Sequence, residues 1–255
     1  MSFDCVSRTH VGLKRKVNED SILVRTERGL WAVADGMGGH EAGDVASTMV
    51  TDALRALPIV YGLDDTVEAA VDALRRVNGE LIRLARSEDD RSRTIGTTVV
   101  GLAIADGEFR CFWVGDSRAY RIRHGQIRRL SRDHSLVQDL VDAGMLNSAD
   151  AEKHESANVI TRAVGVSEEL EVDSSTGEAA PGDIFLLASD GLTRLVSDEE
   201  ILSACQGGDI EASAVELLEL ALDRDAPDNV SLIIIRATDA PAHSRTILHH
   251  GLQWQ

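Results

Sequence analysis

Cysteine, proline and aromatic residues are scarce in this sequence: the 255 residues contain three cysteines and four prolines, and aromatics make up 4%. The cysteines, Cys5, Cys111 and Cys205, form no CxxC pair, which excludes a disulfide framework and a cysteine-based zinc cluster. The first residues have neither a basic start nor an apolar stretch, and no apolar run approaches bilayer length. We therefore expect a cytoplasmic protein with reduced thiols, no signal peptide and a core of Ala, Val, Leu and Ile.

Several catalytic motifs are also missing. No arginine follows a cysteine at the spacing that cysteine phosphatases need, and the sequence contains neither a Walker A loop nor a Gly-x-Ser-x-Gly elbow. The two His-Glu pairs, at 40–41 and 154–155, lack the second histidine of a zincin motif, because Asp44 and Asn158 stand in its place. Nucleophilic catalysis by Ser, Cys or His is therefore not indicated.

Positive charge is also in short supply, with 26 Lys and Arg against 43 Asp and Glu and a net charge of −17. Such a protein repels phosphate groups, which argues against nucleic acid or an anionic membrane as a partner. It also repels a phosphorylated substrate unless a cation lies between the two.

Strands and helices are predicted to alternate in groups rather than singly. Two helical patterns, 42–57 and 67–84, follow one another, and a second pair is expected near 198–205 and 210–222. This grouping excludes a doubly wound parallel sheet. It predicts an α+β fold, a helix–sheet–sheet–helix four-layer sandwich of two antiparallel sheets flanked by helix pairs. The predicted strands are 3–9, 21–26, 30–34, 97–105, 108–114, 119–123, 126–130, 184–188 and 230–236, with hairpin turns at Asp106-Gly107 and His124-Gly125.

Carboxylates recur beside glycine or asparagine where these strands begin or end. Collected at one edge of a sandwich, they would repel one another and take up protons unless divalent cations bound them. An all-oxygen ligand set favours Mg²⁺ or Mn²⁺ over zinc, and the backbone freedom at Gly36 lets its carbonyl serve as a ligand. Each Asp-Gly alone also fits an ordinary turn. The carboxylates are Glu19, Asp20, Asp35, Asp116, Asp190 and Asp228.

Six segments together resemble the successive motifs of metal-dependent protein phosphatases, the PPM family (type 2C), in their bacterial stand-alone serine/threonine-specific form. They occur in the family's order, and the resemblance spans residues 3–237. It implies the four-layer fold that the pattern predicts independently. The segments are GxxRxxNEDS at 12–21, ADGMGGH at 34–40, GTT at 96–98, VGDSR at 114–118, SDGL at 189–192 and PDN at 227–229.

The resemblance implies a ligand set for divalent cations, Mn²⁺ or Mg²⁺. Asp35 would bridge two ions, with the Gly36 carbonyl on one of them, and Asp190 and Asp228 would complete the protein ligands of the first ion. Asp116, together with Asp190, would hold a third, weaker ion. Paired ions of this kind lower the pKa of a bound water and orient it for attack on phosphorus.

Further roles follow from the same resemblance. Arg15 would clamp the phosphoryl group, because a guanidinium offers a bidentate fork. Glu19 and Asp20 would act mostly through metal-bound waters. Asn229 would hold Asp228 in position without binding the ion itself. Met37 stands where some relatives carry a histidine proposed as general acid, so we favour a metal-bound water for that step.

His40 is the alternative general acid, although a histidine between a strand and a helix more often has a structural role. Residues 145–166 take the place of the family's flap, and 238–255 form a C-terminal tail after a single catalytic domain at 1–237.

The implied function is a metal-dependent serine/threonine protein phosphatase that opposes a cognate kinase in bacterial signalling. The sequence does not decide between general kinase signalling and control of type VI secretion. Phosphorylated proteins and that kinase would be its partners, without nucleic acid or membrane, and the chain would be a monomer. Two alternatives remain open at this point: a small-molecule phosphomonoesterase with the same site, and a non-catalytic regulatory binding module.

Overall fold

The computed structural model describes residues 1–38, 42–59, 62–87, 94–151 and 154–239. The strands are β1 (Ser2–His10), β2 (Asp20–Arg25), β3 (Leu30–Gly38), β4 (Ile95–Thr97), β5 (Val99–Ala105), β6 (Glu108–Val114), β7 (Arg118–Arg123), β8 (Gln126–Arg129), β9 (Asp173–Glu178), β10 (Ile184–Ala188) and β11 (Val230–Thr238). The helices are α1 (Ala42–Arg55), α2 (Leu63–Ser87), α3 (Leu136–Asp142), α4 (Ser148–Ala151), α5 (Asp190–Thr193), α6 (Asp198–Cys205) and α7 (Ile210–Asp223).

Two antiparallel sheets form the centre of the molecule. The first has the strand order β1-β11-β10-β7-β8, and the second has the order β2-β3-β5-β6-β9, with β4 paired to β3. In the first sheet β1 pairs with β11 from end to end, so the beginning and end of the fold lie side by side. None of the helices in the described residues is long and apolar enough to cross a membrane.

Apolar side chains fill three layers of core. Between the sheets lie fully buried residues such as Trp31, Phe185 and Ile233. Alternate residues of the same strands face outward, and there Leu186 packs under α6 and α7. The opposite sheet is covered by α1 and α2, whose buried residues include Leu54. Each fully buried side chain of this kind contributes about 1.5–3 kcal/mol, so the helices are held mainly by their apolar faces.

The predicted four-layer sandwich is confirmed, and so are both hairpin turns. Asp106 and His124 have φ of 51°, and the following Gly107 and Gly125 have φ of 82° and 71°. Such left-handed pairs match the twist of the flanking strands, which is why Asp-Gly predicted the first turn correctly.

The strands differ from the prediction most clearly at two places. The strand expected over 97–105 is broken after Thr97, because the backbone N–H of Thr98 turns aside to donate to the carbonyl of Asp35 at 2.8 Å. The edge strand β9 was not predicted at all. Its sequence, DSSTGE, lacks apolar residues and is held instead by its ladder with β6.

Candidate metal centre

Acidic side chains gather where strands of both sheets end at the same edge of the sandwich. Asp20 lies directly opposite Asp35 in the antiparallel ladder of β2 and β3. Asp190 begins α5 just after β10, and Asp228 lies just before β11. The edge opens into a cleft of about 680 Å³ whose lining includes Arg15, Glu19, Asp35, Gly36, Met37, Asp116, Asp190 and Asp228. Asp20 lies beneath it, where its Oδ2 accepts a hydrogen bond from Ser189 at 2.9 Å.

Two glycines let the backbone segments of this edge approach one another closely. A Cβ on Gly36 would lie 2.0 Å from the carbonyl oxygen of Gly43 and 2.5 Å from that of Glu19. A Cβ on Gly191 would lie 1.9 Å from the carbonyl oxygen of Asn229. Since no side chain fits at such distances, these glycines are required for the acidic loops to meet.

The buried carboxyl groups are difficult to ionise together. Burial, followed by repulsion from Asp20, Asp190 and Asp116, raises the pKa of Asp35 well above its usual range. Burial and neighbouring aspartates also raise the pKa of Asp190 to about 6 and that of Asp20 to about 7. Each of Asp35 and Asp190 therefore affects the ionisation of the other.

These observations test whether the site suits divalent cations. Asp20 Oδ1 is buried without a hydrogen-bond partner among the described residues, although buried oxygens of native proteins almost always have one. A cation, or water bound to it, satisfies such an oxygen and removes the repulsion that raises the pKa values. The donor set is all oxygen, so the residues fit Mn²⁺ or Mg²⁺.

Two arginines stand among the carboxylates. Arg15 Nη2 lies 2.7 Å from Asp228 Oδ2, and Arg194 Nη2 lies 2.8 Å from Asp116 Oδ2 and 2.9 Å from Asp190 Oδ2. Within the described parts of the chain, no three Asp, Glu, His or Cys side chains converge tightly enough to grip an ion as they stand.

Asn229 connects the two sheets beneath the cleft. Its side chain accepts a hydrogen bond from the Glu19 backbone N–H at 2.8 Å and donates to the carbonyls of Val11 and Val17 at 2.9 and 3.0 Å. Its contact with Asp228 comes from its own backbone N–H, which donates to Asp228 Oδ1 at 2.8 Å. Asn229 therefore positions the acidic loop before β2 as well as Asp228.

Some supporting residues were missed by the sequence analysis. Arg194 was not singled out, although its position four residues after Asp190 is a signal for a contact across one helical turn. Thr98 Oγ1 lies 2.7 Å from Ser117 Oγ and accepts from the Asp35 N–H at 3.2 Å. The GTT and VGDSR motifs thus brace the end of β3 from the next strands.

The flap expected at 145–166 is described except for residues 152–153. It reaches the cleft through Asn158 and Ile160, which contribute to the lining. Its far end is tied to β4, where Thr97 and Val164 exchange two backbone hydrogen bonds of 3.0 and 2.9 Å. His40, the alternative general acid, lies outside the described residues.

Comparison with known proteins agrees with this geometry. A family model described as Protein phosphatase 2C matches residues 9–218. The serine/threonine protein phosphatase PstP of Mycobacterium tuberculosis is 37% identical over 233 residues, which are 91% of this chain but only 45% of that protein. The chain therefore spans about half the length of this relative.

Solved structures of similar proteins superpose closely. One, described as PppA, a key regulatory component of T6SS in Pseudomonas aeruginosa, has a TM-score of 0.85 at 42% identity and covers 93% of this chain and 98% of that one. Another, the PstP catalytic domain in complex with two manganese ions, has a TM-score of 0.82 at 36% identity and covers 93% of this chain and 99% of that one.

Proposed function

The chain belongs to the protein phosphatase 2C family, and on that premise we propose that it hydrolyses phosphoserine and phosphothreonine in proteins with the help of Mn²⁺ or Mg²⁺. One observation carries the proposal: buried carboxyl groups from both sheets meet at one cleft, where burial and the neighbouring aspartates raise the pKa of Asp35 well above its usual range. The relatives support this activity rather than a small-molecule phosphomonoesterase or a binding module.

The proposed ligands for two ions are Asp35, the Gly36 carbonyl, Asp190 and Asp228, with Glu19 and Asp20 acting through water. When bound, the ions neutralise the phosphoryl group and supply an activated water. The protein's own contribution is to hold these oxygens in place. Asp35 is fixed by its ladder with β2 and by Thr98, and Asp228 by the backbone N–H of Asn229.

Arg15 is proposed as the phosphoryl clamp. It lines the cleft, is half exposed, and uses Nη2 on Asp228, so its other N–H donors remain for phosphoryl oxygens. Lys14 lies in the same lining and adds positive charge in a protein of net charge −17. The thioether of Met37 has no acidic proton to donate, so the leaving oxygen must take its proton from another donor.

Further parts of the proposal concern context. We treat residues 1–237 as one catalytic domain and 238–255 as a tail, and propose a cytoplasmic monomer that opposes a cognate kinase. A role in type VI secretion is the setting that the similarity to PppA favours. The third ion expected between Asp116 and Asp190 stays a prediction, and Arg194 bears on it directly.

Turnover of a phosphothreonine peptide tests the proposal. Activity is expected with Mn²⁺ or Mg²⁺, loss after exhaustive chelation, and recovery when the metal is restored. p-Nitrophenyl phosphate serves as a comparison substrate, because a small-molecule phosphomonoesterase would turn it over while leaving the peptide intact. Full peptide hydrolysis by protein in which no metal can be detected would contradict the proposal.

A further inference from the structure

Arg194 contacts two carboxylates at once, as a bound metal ion ordinarily does. A single nitrogen, Nη2, lies 2.8 Å from Asp116 Oδ2 and 2.9 Å from Asp190 Oδ2. One charged atom shared between two acidic oxygens is a bridge, unlike the fork that a guanidinium usually offers to a single carboxylate. The guanidinium therefore occupies the place from which a bound cation would neutralise both groups.

The fold brings this arginine to both acids from different directions. Its backbone N–H donates to the Asp190 carbonyl at 2.9 Å across the single turn of α5, which puts both side chains on one face. Asp116 arrives from the turn between β6 and β7, 78 residues away in sequence. The Asp116 and Asp190 side chains are 7% and 16% exposed, so their charges cannot rely on water alone.

Other nearby arginines already have a different partner. Arg118 Nη2 lies 2.9 Å from Asp133 Oδ2, and Arg129 is paired with the same carboxylate. Arg194, by contrast, contacts both Asp116 and Asp190. These three residues also line both the 680 Å³ cleft and a neighbouring cavity of about 340 Å³, so the bridge stands in the wall between them.

We propose that Arg194 is the built-in counter-charge of Asp116 and Asp190, so that this chain works with two ions and one guanidinium, and a third ion binds only by displacing Arg194. The inference rests on the metal centre proposed above. Because a guanidinium stays protonated in proteins, its charge is present at every pH at which the protein folds. The remaining oxygen of Asp190 is left for the two-ion centre.

Counting Mn²⁺ ions per chain by equilibrium dialysis and electron paramagnetic resonance tests this. We expect the wild-type chain to hold two ions tightly. In Arg194→Met, which removes the charge but keeps the length, we expect a third ion to bind at least about tenfold more tightly than in wild type, since like charges no longer compete for the same oxygens. Adding Asp116→Asn to Arg194→Met should abolish that third site.

Two controls separate this role from general effects of charge or folding. Arg194→Lys keeps the positive charge and should keep the wild-type count. Arg75→Met removes one arginine whose partner on α2 is Asp72, neither of which lines the cleft, and should leave the count unchanged. If Arg194→Met fails to fold, Arg194→Gln replaces it, because it removes the same charge but keeps a polar side chain.

The outcomes are distinct. A third-ion affinity that is the same in wild type, Arg194→Met and Arg194→Gln would overturn the role of Arg194 while leaving the two-ion centre intact. A wild-type chain that binds no Mn²⁺ at all would overturn the proposed metal centre, and the inference with it. Circular dichroism on each variant, with and without Mn²⁺, establishes that the counts refer to folded protein.

Discussion

Two regions of the molecule, the apolar core between the sheets and the acidic edge, are formed by the same strands. They differ in what stabilises them. Val33 of β3 is buried among apolar side chains, and two residues later on the same face of that strand Asp35 lies among aspartates. The interior is stabilised without any added group, because its apolar side chains pack against one another. The edge is not, because its carboxyl groups raise one another's pKa values, a repulsion that the proposed cations would relieve.

This contrast predicts a separation of stability from activity. Substitutions in the interior should cost stability and spare the chemistry of the molecules that remain folded. Substitutions at the edge should abolish the chemistry, and without metal they should leave the protein as stable as before or more so, because they remove repulsion. The following variants test each half of that statement.

Asp35→Ala should have the largest effect. The carboxylate proposed to bridge both ions is lost, so kcat/KM should fall by at least about 1,000-fold, equivalent to about 4 kcal/mol of transition-state stabilisation. Melting of the metal-free variant should occur at or above the wild-type temperature, because Asp20, Asp116 and Asp190 lose a repulsive neighbour. Steady-state kinetics and thermal melting measure the two effects.

Asp72→Ala is the matched control, since that aspartate lies on the exposed side of α2 and pairs only with Arg75 in the contacts described. It should change neither activity nor melting temperature appreciably. An active Asp35→Ala enzyme, or one destabilised as strongly as a core variant, would break the proposed contrast.

Phe185→Ala should show the reverse pattern. Phe185 is fully buried between the sheets and meets the Phe109 ring edge to face at 5.4 Å between centroids. Its truncation should lower the free energy of unfolding by about 3–5 kcal/mol, as measured by urea titration. Activity per folded molecule should stay near wild type. A variant that keeps its stability but loses kcat would show that the interior takes part in catalysis directly.

Arg15→Ala tests a residue of the cleft that is proposed to bind the substrate and not the metal. Loss of charge-assisted hydrogen bonds to the phosphoryl group, each worth about 1.5–3 kcal/mol, should lower kcat/KM by roughly tenfold to several hundredfold once water partly substitutes. Mn²⁺ affinity should be retained, and Arg15→Lys should recover only part of the loss. Unchanged kcat/KM would make Arg15 a surface arginine, whereas lost Mn²⁺ affinity would assign it to organising the carboxylates.

Asp209→Ala should have the smallest effect. Asp209 caps α7 by accepting from the backbone N–H groups of Glu211 and Ala212 at 3.0 and 3.3 Å. Removing this cap should cost about 1 kcal/mol of stability without altering kcat/KM or Mn²⁺ binding. A catalytic defect here would mean that the outer helices are coupled to the cleft.

The layers of the fold could be predicted from sequence because their signals are local. Alternating and β-branched apolar runs mark the strands, and Asp106-Gly107 marks a hairpin. The edge strand β9 could not be predicted this way, because its DSSTGE sequence is held by backbone pairing with β6 and carries no apolar periodicity. The order of the strands in each sheet could not be predicted either, because it depends on long-range contacts such as the pairing of β1 with β11.

At the acidic edge, residue types could be predicted but their partners could not. Clusters such as ADGMGG point to a site, because such backbone freedom after a strand needs a use. The pairing of Asp20 with Asp35 depends on the register of β2 and β3, and the Arg194 bridge depends on a turn that brings Asp116 near α5. Both are tertiary facts with no local signal of their own.

Anomalous diffraction at the manganese edge, from crystals grown with Mn²⁺, tests the central claim most directly. The account predicts two strong peaks in the cleft, bridged by Asp35 and within ligand distance of the Gly36 carbonyl, Asp190 and Asp228, with Arg194 still between Asp116 and Asp190. Manganese bound elsewhere on the protein, with no ion among the cleft carboxylates, would contradict it.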